Sequence, residues 1–269
     1  MEYTSSKEPI RIVLYASEIG SILGLNRFCS RIETLKRVWY RVEGDRVPEA
    51  FRPSPDHLLA IARTKKGVQF RREKYSIETS DKFDSLVSEL KTALKAEGLS
   101  ELVDATKQFV SCEMGRNSER LAMDVAEANP SIGKCTSRQK SFCKTVWVSP
   151  TGDAEIVISG RIDCFDQLGR VMEIKTRIGR KPGIEPYEMA QLQTYLFLSG
   201  ATSGYLVELE SGAKLTVGPL DTFNRQWWED EVVPALREFG DDLVTSIKAN
   251  TLVIIHDISF EDEIDIINC

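Results

Sequence analysis

Two carboxylates and an amine stand at spacings that suit a divalent cation: Asp163, then nine residues, then Glu173-Ile174-Lys175. Successive side chains of a β-strand alternate between its faces, so Glu173 and Lys175 point together while Ile174 points to the other layer. Asp163 falls on the preceding strand of the same hairpin, where it can come beside Glu173. Two hard oxygen ligands suit Mg²⁺, which keeps its remaining waters. Such an ion acidifies water and stabilises charge developing on a phosphate, while a lysine orients or deprotonates the nucleophile. Phosphodiester hydrolysis needs that arrangement. An Asp…Glu-x-Lys this loosely spaced also arises by chance about once in a chain of this length, as a surface hairpin with an i, i+2 salt pair. The triplet therefore needs support from its surroundings.

Other chemistries find little material. The two histidines, His57 and His256, sit in unrelated segments without partners at metal-ligand spacing, which weakens His-based nuclease, zinc-hydrolase and Ser-His-Asp readings. Six scattered cysteines form no CxxC pair, so neither a disulfide framework nor a zinc knuckle is suggested. Residues 1–9 carry no apolar run of the kind a secretory signal needs, and no segment is apolar for long enough to span a bilayer. The expectation is an intracellular protein, in cytoplasm or nucleus, with no membrane partner.

The elements that must position the triplet are legible from periodicity. Residues 11–15 read as a strand, and Ser17 as the N-cap of a helix ended by Gly24. Helices follow at 30–42, with Ile32, Leu35, Val38 and Trp39 on one face, and then at 58–70, 81–97 and 100–128, the last stopped by Asn129-Pro130. The period then switches to two. Segments 142–148, 154–165 and 170–176 alternate around turn signals at 150–153 and 166–169, giving a three-stranded antiparallel meander. A helix over 186–198 ends at Gly200, strands follow at 204–208 and 214–217, and 223–249 is helical despite Pro234. The sum is a single α+β domain over 1–269, with a mainly helical front part (1–130), a sheet core carrying the chemistry (131–220), and a C-terminal helix with an acidic tail (221–269).

Two flanking blocks strengthen the triplet: Gly115-Arg116-Asn117-Ser118-Glu119 in the long helix, and Met189-Ala190-Gln191-Leu192-Gln193-Thr194-Tyr195 after the meander. Helical Gly-x-x-x-Glu, then Asp, then Glu-x-Lys, then Ala-Gln-x-Gln resembles the PD-(D/E)xK nuclease superfamily, and within it the phage lambda exonuclease and YqaJ-like viral recombinase family. Ala16-Ser17-Glu18 also resembles that family's Ala-Ser-Glu segment. The resemblance covers scattered blocks between about residues 11 and 209, and its specificity lies in their order. Ile162 stands where the superfamily name has proline. No cluster of four cysteines matches the iron–sulfur relatives, so no such cluster is expected.

The resemblance implies a restriction-endonuclease-like fold, with a central mixed sheet flanked by helices. It implies Mg²⁺, replaceable by Mn²⁺, held by Asp163, Glu173 and the Ile174 carbonyl, with Glu119 reaching in from its helix. Lys175 would activate water, and Gln191 would hold the nucleophile or phosphate. Gln193 points about 200° around the helix from Gln191, whereas Tyr195 shares its face, so Gln191 is the glutamine expected at the site. Ser17, with Arg11 nearby, would cradle a DNA 5′-terminal phosphate, and Arg161, Arg177 and Tyr195 would contact the backbone. The implied activity is an exonuclease that degrades linear double-stranded DNA from its ends, 5′ to 3′, in recombination, repair or viral genome processing. Implied partners are further copies of the chain and a single-strand annealing protein. An endonuclease or single-strand nuclease on the same site, or a catalytically inactive DNA-binding or assembly module, remain alternatives.

Charge allows a nucleic-acid partner once its distribution is read. Net charge is −6, but Asp257, Glu261, Asp262, Glu263 and Asp265 lie in a tail without Lys or Arg, and setting them aside leaves −1. Bases cluster at Arg27/Arg31/Lys36/Arg37/Arg41, at Lys65/Lys66/Arg71/Arg72/Lys74 and at Lys175/Arg177/Arg180/Lys181, either as a phosphate track or as ordinary solvated surface.

Overall fold

The structure, a computed structural model, describes residues 9–255 apart from 54–55, 131, 178–182 and 211–213, and only the backbone of 77, 78 and 80. Arg180, Lys181, His256 and the acidic tail thus lie outside the described residues. The fold is α+β, with helices packed on mixed sheets.

Strand β1 (Ile10–Tyr15) runs into a 3-10 turn at Ala16–Glu18 and the short helix α1 (Ile19–Ile22). Ser17 is not the N-cap expected from sequence: it lies exposed inside the turn, and the Glu18 carboxylate accepts the Tyr15 N–H at 2.8 Å in its place. Helix α2 (Arg31–Glu43) is capped by Ser30, whose side chain accepts the Glu33 N–H. It buries Leu35, Val38 and Trp39, while Ile32 stays exposed. The helix expected over 58–70 is two helices, α3 (His57–Arg63) and α4 (Lys65–Glu73). Thr64 breaks it, because its hydroxyl accepts the Gly67 N–H and starts a new helix. Helix α5 (Phe83–Ala96) and the long α6 (Thr106–Ala128), preceded by a 3-10 turn at Ser100–Ala105, complete the front half.

Strands β2 (Lys140–Val148) and β3 (Ala154–Ile162) form the expected antiparallel pair, and β1 joins the other edge of β3 in parallel. The meander and the single central sheet are both corrected. After Ile162 the chain leaves that sheet, and β4 (Cys164–Phe165) pairs with β5 (Val171–Arg177) in a second one. Helix α7 (Pro186–Ser199) then leads to β6 (Ser203–Glu210), parallel to β5, while β7 (Leu215–Val217) and β8 (Asp221–Thr222) pair antiparallel to β6. The last helical run is α8 (Arg225–Trp227), a π turn at Trp228–Val232, and α9 (Val233–Ala249). Pro234 follows directly on that π turn, at the start of α9.

The main core joins β1 and β3 to α2, α7 and α9 through Ile12, Leu14, Trp39, Ile156, Ile158, Leu196 and Phe239. The front half has its own core, in which Ile61, Phe70, Leu90 and Leu94 meet Phe109, Val110 and Met114 of α6. Helix α6 belongs to both halves, since farther along it Ala122 and Ala126 pack toward the second sheet. Among the described residues no helix is long and apolar enough to cross a membrane.

Candidate active site

The site forms where β3 passes from one sheet to the other. A tight turn at Asp166 sets the register: its carboxylate accepts the Leu168 and Arg170 N–H groups, each at 2.9 Å, and Gly169 takes φ +76°. Cys164 therefore opposes Met172 and Phe165 opposes Val171. One rung further the same register sets Asp163 against Glu173, but the ladder stops there. The Asp163 carboxylate replaces the missing backbone acceptor, taking the Ile174 N–H at 2.9 Å. Gln139 clamps Asp163 from the other side, donating its backbone N–H to the Asp163 carbonyl at 2.8 Å and its amide to the carboxylate at 3.3 Å. Gln139 sits at positive φ in an irregular segment, and nothing in the sequence marks it.

Glu173, Lys175, Gln191 and Tyr195 form one network. Lys175 Nζ donates to Glu173 Oε1 at 2.8 Å and to Gln191 Oε1 at 3.0 Å. The Gln191 amide donates to Glu173 Oε1 at 3.1 Å and to the Tyr195 hydroxyl at 2.7 Å. This is the glutamine expected from helical spacing, while Gln193 is engaged on the other side with Asp221 and Thr222. Gly160 allows α7 to lie close over β3, because a Cβ there would come within 2.8 Å of Leu198 and 2.9 Å of Tyr195.

Burial pushes the Glu173 carboxyl up to about 8, with the charge of Asp163 adding to the effect and Lys175 opposing it. For Lys175, burial acts to lower the pKa, but the charge and hydrogen bond of Glu173 outweigh it and keep the ammonium protonated. Tyr195 is also held above its ordinary range, by burial first and then by Glu173.

These groups fit a divalent cation. Glu173 Oε2 is buried and has no hydrogen-bond partner, although an orphaned buried carboxylate oxygen is costly. With Asp163 alongside, an ion such as Mg²⁺ would satisfy it. Among the described residues no three His, Cys, Asp or Glu side chains gather as a ligand set, so Glu119 does not close up with the pair. It stays exposed on α6, near enough that partial desolvation and then the charge of Asp163 raise its carboxyl. Because burial raises the Glu173 carboxyl, Mg²⁺ affinity should rise with pH through that raised pKa and flatten above it. Calorimetric titration across this range checks it, and a pH-independent affinity would refute it.

Beside Asp163 opens a groove of about 330 Å³, lined by Ser17, Ser141, Ser159, Arg161 and Tyr195 among others. The structure thus brings Ser17, Arg161 and Tyr195 to the groove that Asp163 lines. Arg11 is not brought there: it stands four residues before Tyr15 on β1, about 13 Å along the strand, and pairs with Glu155 at 3.6 Å. Arg177 must be corrected too. It is buried, with its guanidinium forked onto Glu188 at 2.7 and 2.8 Å and bonded to Glu208 at 2.6 Å, so it faces no substrate. Several bases of the expected phosphate tracks are also engaged, as Arg31 with Asp242, Arg41 with Glu18 and Arg71 with Glu113.

Sequence reading missed the tie made by Arg177. Glu188 is one turn before Gln191 on α7, and its carboxylate both caps the helix through the Glu185 N–H at 3.0 Å and receives Arg177 from β5. The pair fixes α7 to the strand that carries Glu173 and Lys175. A glutamate one turn ahead of a glutamine chosen for chemistry was the available signal.

No protein-family model matches the sequence, and no curated protein matches it. A solved structure described as "Crystal structure of SSO0001" is similar to this chain at 18% identity and a TM-score of 0.39, covering 58% of this chain and 69% of that one. A likeness of that size carries no argument about function.

Proposed function

We propose that the chain is a metal-dependent deoxyribonuclease with a restriction-endonuclease-like core, acting from the ends of linear double-stranded DNA. The observation that carries this is the convergence of Asp163, Glu173 and Lys175 at one strand junction, with a buried oxygen of Glu173 left without a partner. The 5′-to-3′ polarity and the role in recombination, repair or viral genome processing rest on the family resemblance.

Asp163 and Glu173 would hold Mg²⁺ or Mn²⁺, which when bound supplies positive charge to the scissile phosphate and acidifies water. Asp163 is kept in place by the Ile174 N–H and Gln139, so its carboxylate is oriented before any ion arrives. Lys175 stands beside Glu173 with its ammonium shared between two acceptors. With Glu173 engaged by an ion, that ammonium would orient the attacking water or the phosphate. Gln191 fixes the lysine. Tyr195 accepts from Gln191 and keeps its own proton to donate toward the groove. Ser17 and Arg161 line the same groove and would receive phosphate oxygens, Arg161 through its planar fork.

The test of this reading is digestion of linear and covalently closed circular duplex of the same sequence with Mg²⁺. Loss of the linear form alone is expected, and equal loss of both would make the enzyme an endonuclease. Replacing Gln191 with alanine should lower cleavage by about 10- to 100-fold, the usual cost of a group that orients a metal site. Single-turnover cleavage measures it, and unchanged rates would remove Gln191 from the machinery.

A further inference from the structure

A second cavity, about 560 Å³, lies at the C-terminal end of α7, between β2 and the helical turn that begins α8. Its walls combine aromatic rings with cations. Phe197 and Trp228 stack at 4.1 Å and 18°, and Phe223 tilts against them at 36° and 53°. Phe223 is partly exposed at the cavity wall. Lys144 lies over the Phe197 ring at 4.7 Å and donates to its carbonyl at 2.6 Å. Arg225 completes the wall, paired among the described residues with Glu229 in an exposed i, i+4 contact at 3.3 Å. Such pairs are weak, so Arg225 can turn to another anion.

The part-exposed Phe223 ring beside two cations fits one ligand chemistry well: a nucleobase with its phosphate. The volume is within the range of small-ligand sites. On β2, Ser141 opposes Arg161 and lines the catalytic groove, whereas Lys144, three residues on, faces the opposite side of the strand, toward α7. On α7, Tyr195 lines that groove, and Phe197, two residues on, points about 200° around the helix into this cavity. The two cavities thus draw on the same strand and helix but use different faces of them.

We infer that this second cavity takes an unpaired base, with its phosphate, from single-stranded DNA. The inference deepens the nuclease reading and rests on it for the identity of the strand.

The experiment measures binding of a labelled short oligothymidylate, and of the same strand with abasic sites, to the full chain in EDTA. Wild-type protein should prefer the base-bearing strand about tenfold, the usual scale of one aromatic stacking contact. Phe223→Ala should erase that preference. Lys144→Glu and the surface change Arg225→Glu should weaken both strands and flatten the salt dependence. Equal affinity of wild type for the two strands, no binding at all, or an unchanged preference in Phe223→Ala would overturn the inference. The two failures are distinguishable. A protein that cleaves nothing yet shows a Phe223-dependent preference loses the nuclease reading alone. One that cleaves with Mg²⁺ while Phe223→Ala binds as wild type loses only the base site.

Discussion

Asp163→Ala or Lys175→Ala is expected to abolish Mg²⁺-dependent DNA degradation while the fold and affinity for DNA survive. For Lys175 the expected loss is about 10²- to 10⁴-fold, the usual worth of a positioned proton-transfer group. For Asp163 it is at least as large, because the change removes one of only two carboxylates placed to hold the ion. Asp163 is partly exposed and its strand junction is also held by backbone bonds, among them Gln139 N–H to the Asp163 carbonyl, so the alanine protein should fold. Cleavage of end-labelled duplex, alongside circular dichroism, measures both parts. Full activity in a folded Asp163→Ala protein would end the proposal.

The second large effect concerns stability. Arg177→Ala should destabilise the protein by about 3–5 kcal/mol, since it strands Glu188 and Glu208 as buried, uncompensated carboxylates. Arg177→Lys should recover only part of the loss, because one ammonium cannot reproduce the fork that meets Glu188 and Glu208 together. Burial works against the Glu188 carboxylate, but Arg177 and the Glu185 N–H hold its pKa below the ordinary value. Its share of stability is therefore present near neutrality and lost as the pH falls through that lowered pKa. Denaturant titration measures the effect, and a loss under about 1 kcal/mol would show that the triad does not bind α7 to β5.

What the sequence revealed follows from which forces are local. The alternation of Glu173 and Lys175 and the short turn at 166–169 placed Asp163 opposite Glu173, because hairpin register follows from turn length. Helical spacing chose Gln191 over Gln193 for the same reason: both arguments span a few residues of one element. The failures came from distant partners. Nothing near Ser17 showed that Glu18 would take the cap, since Glu18 is also drawn to Arg41 across the fold at 2.5 Å. Arg177 read as a surface base because its partners are 11 and 31 residues away. The break of β3 at Asp163 was hidden by an unbroken apolar alternation from Ala154 to Phe165, and only the separate courses of β1 and β6 split it between two sheets. Thr64 was a missed local signal, since a threonine three residues before Gly67 can cap a new helix as readily as continue the old one.

The most direct measurement of the central claim is binding of Mn²⁺ followed by electron paramagnetic resonance. One tight site is expected in the wild-type protein, lost in Asp163→Ala and in Glu173→Ala but kept in Lys175→Ala, whose side chain contacts no ion. Equal Mn²⁺ binding in all four proteins, or none in the wild type, would contradict a cation shared by these two acids.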